Sequence, residues 1–332
     1  FAQAVALGET QALLNRDLST LSGGEKQRAA LTVLLAMDAP ILLLDEPFAS
    51  IDPASRHVLI GKLGTLRDHG KTIVIAEHDL TNYADVADQL VALKNGELSR
   101  LPLATLTTLP THSNLTQPRQ ATNKIFYLEN VVCQQNHHIL LQAPSWDFND
   151  GITTLTGANG SGKSTLLRSM VQLHPYQGRM FLGQQRLRRR KRLYQTMTLA
   201  VQDAAKQFVT LTLADELAFG PALPAAVREK QQAALAYLGL AEKQTTSLYQ
   251  LSEGQKKMVQ LMTMLSLDLS FLLLDEPFSG LDDRACQYFA AWIKAKSATQ
   301  AFLIVTHRLV PLAGISQQQV LLANQRLQVV QG

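Results

Sequence analysis

The stretch Gly157-Ala158-Asn159-Gly160-Ser161-Gly162-Lys163-Ser164-Thr165 has the residue types and spacing of a loop built to hold phosphate, G-x-x-x-x-G-K-[ST]. Its glycines let the backbone curl tightly, so that successive N–H groups point inward at phosphate oxygens. Lys163 would set a cation against the β- and γ-phosphates, and the Ser164 hydroxyl is placed to ligate Mg²⁺. Thr153-Thr154-Leu155-Thr156 reads as a short β-run entering the loop. Leu166-Leu167 open a helix whose positive N-terminal end faces the same phosphates. A glycine-rich turn with a chance lysine has no need of this strand–loop–helix context. The stretch implies a nucleoside triphosphate site.

Other residues could complete such a site. Asp275 and Glu276 end the apolar run Phe271-Leu272-Leu273-Leu274, which has the pattern of a buried strand. His307 follows a second run, Phe302–Val305, and Leu251-Ser252-Glu253-Gly254-Gln255 precedes an apolar helical pattern. Taken singly, an Asp-Glu pair could be a strand-end cap, and a lone His could be structural. Repetition argues against that. Leu21-Ser22-Gly23-Gly24-Glu25, Ile41–Pro47, Ser50-Ile51-Asp52 and Glu77-His78 occur upstream in the same order. Ser22 and Ser252, Glu46 and Glu276, and Asp52 and Asp282 are each 230 residues apart, and His78 and His307 are 229 apart. Two copies of one domain follow. In this register Phe1 aligns with about Gln231, while the second copy begins near Ile125. The first copy is expected to lack roughly 106 residues, its own phosphate loop among them, so the chain reads as a fragment of a longer one.

The elements that must position these residues are buried strands alternating with helices, over a chain long enough for two domains. An apolar content of 46% supports real cores, and the net charge of +4 is too weak to argue for nucleic acid. Cys133 and Cys286 lie far apart, without a ligand cluster, as buried thiols in a reducing compartment would. No apolar run reaches ~18 residues without a charge, and no signal peptide is evident, so a soluble cytosolic protein is expected. Leu101–Lys124 carries Pro102, Pro110 and Pro118 without periodicity and reads as a linker. Arg186–Arg192 is a basic run that reads as a solvated face.

A phosphate loop, then Gln202, an LSGGQ-like stretch, an apolar strand ending in Asp-Glu and a following His resembles the ABC ATPase family. The resemblance covers almost the whole chain, twice. It implies an α/β P-loop NTPase fold with two nucleotide-binding domains. Each would have a parallel sheet core, an antiparallel β-subdomain and an α-helical subdomain, the first copy being incomplete. Residues 1–100 would be the C-terminal part of the first domain, 101–124 the linker and 125–332 the complete second domain. The helical subdomain would span roughly residues 204–266, with the signature turn opening its last helix.

The resemblance further implies ATP and Mg²⁺. Gly157, Asn159, Gly160, Ser161, Gly162, Lys163, Ser164 and Thr165 would cradle the phosphates, and Ser164, Gln202 and Asp275 would hold the metal. Glu276 would polarise the attacking water as general base, and His307 would reach the γ-phosphate. Family domains close head to tail, so an intramolecular pairing would bring Ser22, Gly23, Gly24 and Asp52 to this site. The opposite site would use Ser252 and Gly254 with Glu46 and His78. There Glu253 replaces the usual first glycine, with a side chain expected to crowd the turn and repel phosphate. The family's adenine-stacking aromatic falls at Gln135, which leaves Phe126 or Tyr127 as substitutes.

Lys206–Gly220 is similar to the corresponding segment of energy-coupling-factor (ECF) transporter ATPases. Those drive uptake of vitamins or of cobalt and nickel ions beneath an integral membrane coupling protein and a separate substrate-binding membrane protein. The implied function is the ATPase subunit of such an importer, peripheral to the cytoplasmic face of the membrane and binding no nucleic acid. One alternative is a soluble tandem ABC protein acting on the ribosome, although those carry long charged helical linkers. The other is a tandem sugar-importer ATPase, although there the second phosphate loop is commonly degraded. Phe208, Leu211, Leu213, Leu217 and Phe219 are expected to divide between core packing and an exposed docking groove.

Overall fold

The computed structural model describes residues 2–8, 10–18, 21, 23–48, 51, 53–77, 80–94, 96–107, 123–136 and 138–330. The chain divides into two compact units, Phe1–His112 and Ser113–Gly332.

The first unit contains helices α1 (Ala2–Gly8), α2 (Gly23–Ala36), α3 (Pro53–Asp68) and α4 (Ala104–Thr107). Its strands are β1 (Ile41–Asp45), β2 (Thr72–Ala76), β3 (Leu90–Lys94) and β4 (Glu97–Leu101). β1 and β2 pair in parallel, Leu43 opposite Val74, and β3 and β4 form an antiparallel hairpin. Leu31, Leu44, Phe48, Leu59, Ile60 and Leu63 form the core. It covers one face of the two-stranded parallel sheet. Leu42 and Leu44 are buried, whereas Leu43 between them is 73% exposed.

The second unit begins with a long hairpin, β5 (Lys124–Gln135) and β6 (His138–Asn149), then β7 (Ile152–Thr156) and α5 (Lys163–Met170). There follow β8 (Tyr176–Leu182), β9 (Gln185–Arg186), β10 (Met197–Ala200), α6 (Leu213–Ala218), α7 (Ala225–Tyr237) and α8 (Glu253–Ser266). The unit closes with β11 (Phe271–Asp275), α9 (Asp283–Lys296), β12 (Ala301–Val305), β13 (Gln318–Ala323) and β14 (Arg326–Val329). A six-stranded sheet has the order β10-β11-β12-β7-β13-β14, parallel except for β14. A four-stranded antiparallel sheet has the order β6-β5-β8-β9. Helices α6, α7 and α8 supply the helical part between residues 204 and 266.

The continuous apolar run of β11 has a packing reason. Successive side chains point to opposite faces of a strand, and a parallel sheet is covered on both. Phe271 and Leu273 join the core with Phe126, Leu166 and Leu167, on the side of α5 and the antiparallel sheet. Leu272 and Leu274 join Leu261, Leu265, Phe289 and Ile293, on the side of α8 and α9. Register then decides where chemistry can occur. Leu155, Val305 and Asp275 stand in one row across β7, β12 and β11. The residues just beyond that row, on three adjacent strands, are therefore the phosphate-type loop, His307 and Glu276. Ligands of open parallel sheets bind at this carboxyl edge.

Leu43 and Leu273 occupy corresponding positions in the two copies, and Leu273 is 0% exposed. Leu273→Ala should cost about 2–5 kcal/mol in denaturant unfolding.

Candidate functional site

The loop after β7 reverses direction through glycines in left-handed backbone, Gly157 at φ +149°, Gly160 at +77° and Gly162 at +102°. Two of them also leave no room for a side chain. A Cβ on Gly157 would stand 2.5 Å from the Leu322 carbonyl oxygen, and one on Gly162 would stand 2.7 Å from Leu140 Cβ. Lys163, the first residue of α5, is buried, and its Nζ donates to the carbonyls of Gly157 (2.7 Å) and Ala158 (2.9 Å). The ammonium thus lies across the curl of its own loop.

Asp275 is buried at the end of β11. Burial pushes its carboxyl up, opposed by a hydrogen bond with Ser164 and by the charges of Lys257, Arg168 and Lys163. Its Oδ1 has no hydrogen-bond partner, and neither has the buried Oγ of Ser161. Glu276 sits in left-handed backbone, φ +48°, a conformation that costs a non-glycine residue free energy and gathers at functional sites. Its N–H donates to Val305 O at 2.8 Å, and its Oε2 accepts from His307 N at 3.2 Å. His307 Nε2 lies 3.5 Å from Glu276 Oε1 and 3.3 Å from Asn159 Oδ1. Loop, histidine and carboxylate form one connected line. Burial, and next the charge of Asp275, push Glu276 up to about 7. The first copy repeats the turn: Glu46 has φ +41°, and its N–H donates to Ala76 O at 2.9 Å.

Gln202 is exposed just beyond β10, and its carbonyl accepts from Lys257 Nζ at 2.6 Å. Ser252 caps α8 with a reciprocal box: Gln255 N donates to Ser252 Oγ, and Ser252 N to Gln255 Oε1. Gly254 packs so closely on the Gly280 carbonyl that no Cβ would fit. Glu253 departs from expectation. Its side chain does not crowd the turn but points outward and pairs with Lys256 at 2.7 Å, because the first turn of α8 presents that position to solvent. Gly23 and Gly24 begin α2, while Ser22, Asp52 and His78 lie outside the described residues.

Of the two substitutes for the adenine-stacking aromatic, Phe126 is not placed to stack on a ligand. Phe126 is fully buried in the core, since it falls on the inward phase of β5, and Tyr127 packs on Phe181 with ring centroids 5.9 Å apart. Leu140 of the same hairpin lies against the loop at Gly162. The apolar residues of the docking segment divide between core and surface. Phe208 packs against the core, and Leu213 and Leu217 are buried, whereas Val209 (65%), Leu211 (69%) and Phe219 (56%) are exposed.

Sequence reasoning missed Lys257, Gln260, Gln207 and Arg308. Arg308 Nη1 donates to the carbonyls of Phe278 (3.0 Å) and Leu281 (2.6 Å), which ties the segment after His307 to the turn after Glu276. Lys257 and Gln260 had a readable signal, as polar residues one turn apart on the stripe that also carries Leu261 and Leu265.

A family model described as ABC transporter matches residues 2–49 and 141–279. The chain belongs to the ABC transporter family. ABC ATP-binding proteins are ATPases that take ATP with Mg²⁺. One relative is the provisionally named HMP/thiamine import ATP-binding protein YkoD of Bacillus subtilis (strain 168), 30% identical over 343 residues, covering 89% of this chain and 62% of that protein. An ABC transporter ATP-binding protein of Methanosarcina acetivorans, also provisionally named, is 27% identical over 328 residues, covering 90% of this chain and 61% of that one. The chain thus spans about three fifths of the length of these curated relatives. Among solved structures, the archaeal ribosome recycling factor aABCE1, in complex with the stalk protein aP1, superposes with a TM-score of 0.68 at 20% identity, covering 96% of this chain and 65% of that one. For cbiO1 of Clostridium perfringens, part of the ABC transporter complex cbiONQ, the TM-score is 0.51 at 22% identity, covering 63% of this chain and 88% of that one.

The residues present fit what the family binds. Asp275 offers a buried carboxylate oxygen with no partner beside a Ser164 hydroxyl, the hard oxygen donors that Mg²⁺ prefers. The loop keeps the tight curl that a phosphate cradle needs, because side chains on Gly157 and Gly162 would collide with Leu322 O and Leu140.

Glu276 also gives a stability test. An acid whose folded-state pKa lies above its unfolded value binds more protons when folded, so stability falls as pH rises through that interval. Here the interval runs from about 4.5 to about 7. Glu276→Gln should be neutral at pH 4 and should stabilise the nucleotide-free chain by on the order of 1–3 kcal/mol at pH 8, measured by denaturant unfolding at both pH values.

Proposed function

We propose that the second unit binds and hydrolyses ATP at the loop of residues 157–165, within the ATPase subunit of an ECF-type importer. The importer would take up a vitamin or a transition-metal ion through an integral membrane coupling protein and a separate substrate-binding membrane protein. The observation that carries the ATPase reading is the line Asn159–His307–Glu276 beside Asp275. It sets a carboxylate that titrates near neutrality next to a phosphate cradle.

Glu276 would accept the proton of the attacking water at a carboxylate oxygen, while the His307 contacts keep that carboxylate facing the loop. Lys163 and the loop amides would stabilise negative charge on the phosphate oxygens. Mg²⁺, when held by Ser164, Asp275 and Gln202, supplies further positive charge against the phosphates.

The import reading draws on the name of the Bacillus subtilis relative and on an exposed apolar patch. Val209, Leu211 and Phe219 are presented by a turn that Glu216 fixes. Its Oε2 accepts from Val209 N (3.0 Å), Thr210 N (2.9 Å) and Thr210 Oγ1 (2.9 Å). A turn held rigid so that it exposes large apolar side chains suits docking. Among the described residues no helix is long and apolar enough to cross a membrane, so the membrane partners would supply the spans, with this chain on their cytoplasmic side. The ribosomal alternative has only a likeness of fold at 20% identity behind it.

Glu276→Gln should slow hydrolysis by about 10²–10⁴-fold and leave ATP binding intact. Lys163→Ala should instead weaken binding about 10–100-fold, measured by fluorescent-nucleotide titration. Near wild-type hydrolysis by the Gln variant would place the main catalysis elsewhere. For the import reading, Leu211→Asp should abolish co-purification with the membrane coupling protein while ATP binding persists, and an intact complex would remove this turn as the docking surface.

A further inference from the structure

The main chain leaving β10 is held by side chains. Pairing with β11 ends at Ala200, opposite Leu274, and the next backbone groups bond to Gln207 and to helix α8. Gln207 Nε2 donates to Leu199 O at 2.9 Å, and its Oε1 accepts from Val201 N at 3.1 Å and from Gln260 Nε2 at 2.7 Å. Gln260 Nε2 also donates to Val201 O at 2.9 Å. Lys257 Nζ donates to Gln202 O (2.6 Å) and Gln260 Oε1 (3.1 Å), with Val201 O at 3.5 Å. Lys257 and Gln260 are both buried.

This arrangement spends a buried charge where an apolar side chain would pack at lower cost. A fully connected buried polar network favours one geometry over its neighbours, because any shift leaves several groups unpaired at once. Lys257 stands two residues beyond Gln255, which closes the capping box with Ser252. The network therefore joins the stretch carrying Gln202 to the first turn of the signature helix. The other copy differs at two of these positions. At the corresponding positions, 230 residues earlier, stand the neutral Gln27 and the apolar Ala30.

We propose that Lys257, Gln260 and Gln207 are positioning residues that lock the Val201–Gln202 main chain to the start of α8, so that Gln202 and the signature turn move as one piece. The inference rests on the ATPase reading and deepens it. Gln202 would approach the phosphates only when the signature turn is correctly placed, and a change at either would be felt at the other.

The test is a Lys257→Gln/Gln260→Ala double variant of the full chain, which installs the residues of the first copy, alongside the milder Lys257→Gln. Hydrogen exchange of the amides of residues 201–207 should quicken about tenfold in the double variant, with α9 unchanged as the control for global folding. ATP affinity without metal should hold, while kcat falls several-fold and the Mg²⁺ concentration for half-maximal hydrolysis rises several-fold. Merely structural side chains would move stability but not the Mg²⁺ dependence. Gln260→Ala alone, which leaves the Lys257 charge acting on Asp275, must shift exchange and Mg²⁺ dependence in the same direction if the lock holds. Unchanged exchange at residues 201–207 would overturn the lock, and so would quickened exchange with unchanged kcat and Mg²⁺ dependence. If the double variant fails to fold, the same readouts on Lys257→Gln decide, with smaller shifts in the same direction expected. A wild-type chain that binds no Mg·ATP would instead defeat the ATPase reading, and this inference with it.

Discussion

Two neighbouring carboxylates, Asp275 and Glu276, are held away from water at the end of a strand whose five residues are all buried. Isolated charge in such a place is costly unless hydrogen bonds or opposite charges answer it. Much of the surrounding structure supplies those answers. Ser164 and the cations Lys163, Arg168 and Lys257 act on Asp275, and the His307 amide acts on Glu276. The compensation is incomplete, which is why both carboxyls are pushed upward. A base that titrates near neutrality is the chemical product of that shortfall.

Strand order makes this concentration of charge possible. β12 lies between β11 and β7, so the ends of three strands that are distant in sequence meet in one row. A different order would leave the same motifs intact and the chemistry apart. The left-handed backbone at Glu276 adds a second condition, since it turns the chain sharply just past the row and directs the carboxylate toward His307. Glu46 keeps the same backbone in the other copy, so the strain belongs to the domain design rather than to one site.

Besides the apolar core that Leu261 and Leu265 share with Leu272 and Leu274, polar contacts join the helical part to this edge. Lys257, Gln260 and Gln207 hold the segment after β10, and Glu216 holds the turn at Val209–Thr210. Between those two anchored points the chain carries Phe208 inward, then Val209 and Leu211 outward. Rigidity at both ends gives the exposed apolar side chains a defined position, which lowers the entropy lost when a partner covers them.

Local sequence determined the loop, the doubled motif order and the buried-strand character of Phe271–Asp275, because each depends on residue type and short-range spacing. A lysine after a glycine run and two carboxylates after four apolar residues keep their meaning wherever they fold. Tertiary structure decided what spacing cannot encode. Leu272 and Leu273 are neighbours in one apolar run, yet they enter different cores, because successive side chains point to opposite faces of the sheet. Phe126 and Tyr127 are adjacent aromatics, and only the pairing of β5 shows which faces the core. Glu253 reads as crowding the turn when it is a letter in a motif, whereas the helix turn presents its side chain to solvent. Lys257 and Gln260 could be noticed as polar residues on an apolar stripe. Their role depends on carbonyls of a segment more than fifty residues away in the chain, brought within hydrogen-bonding distance only by the packing of α8 against β10.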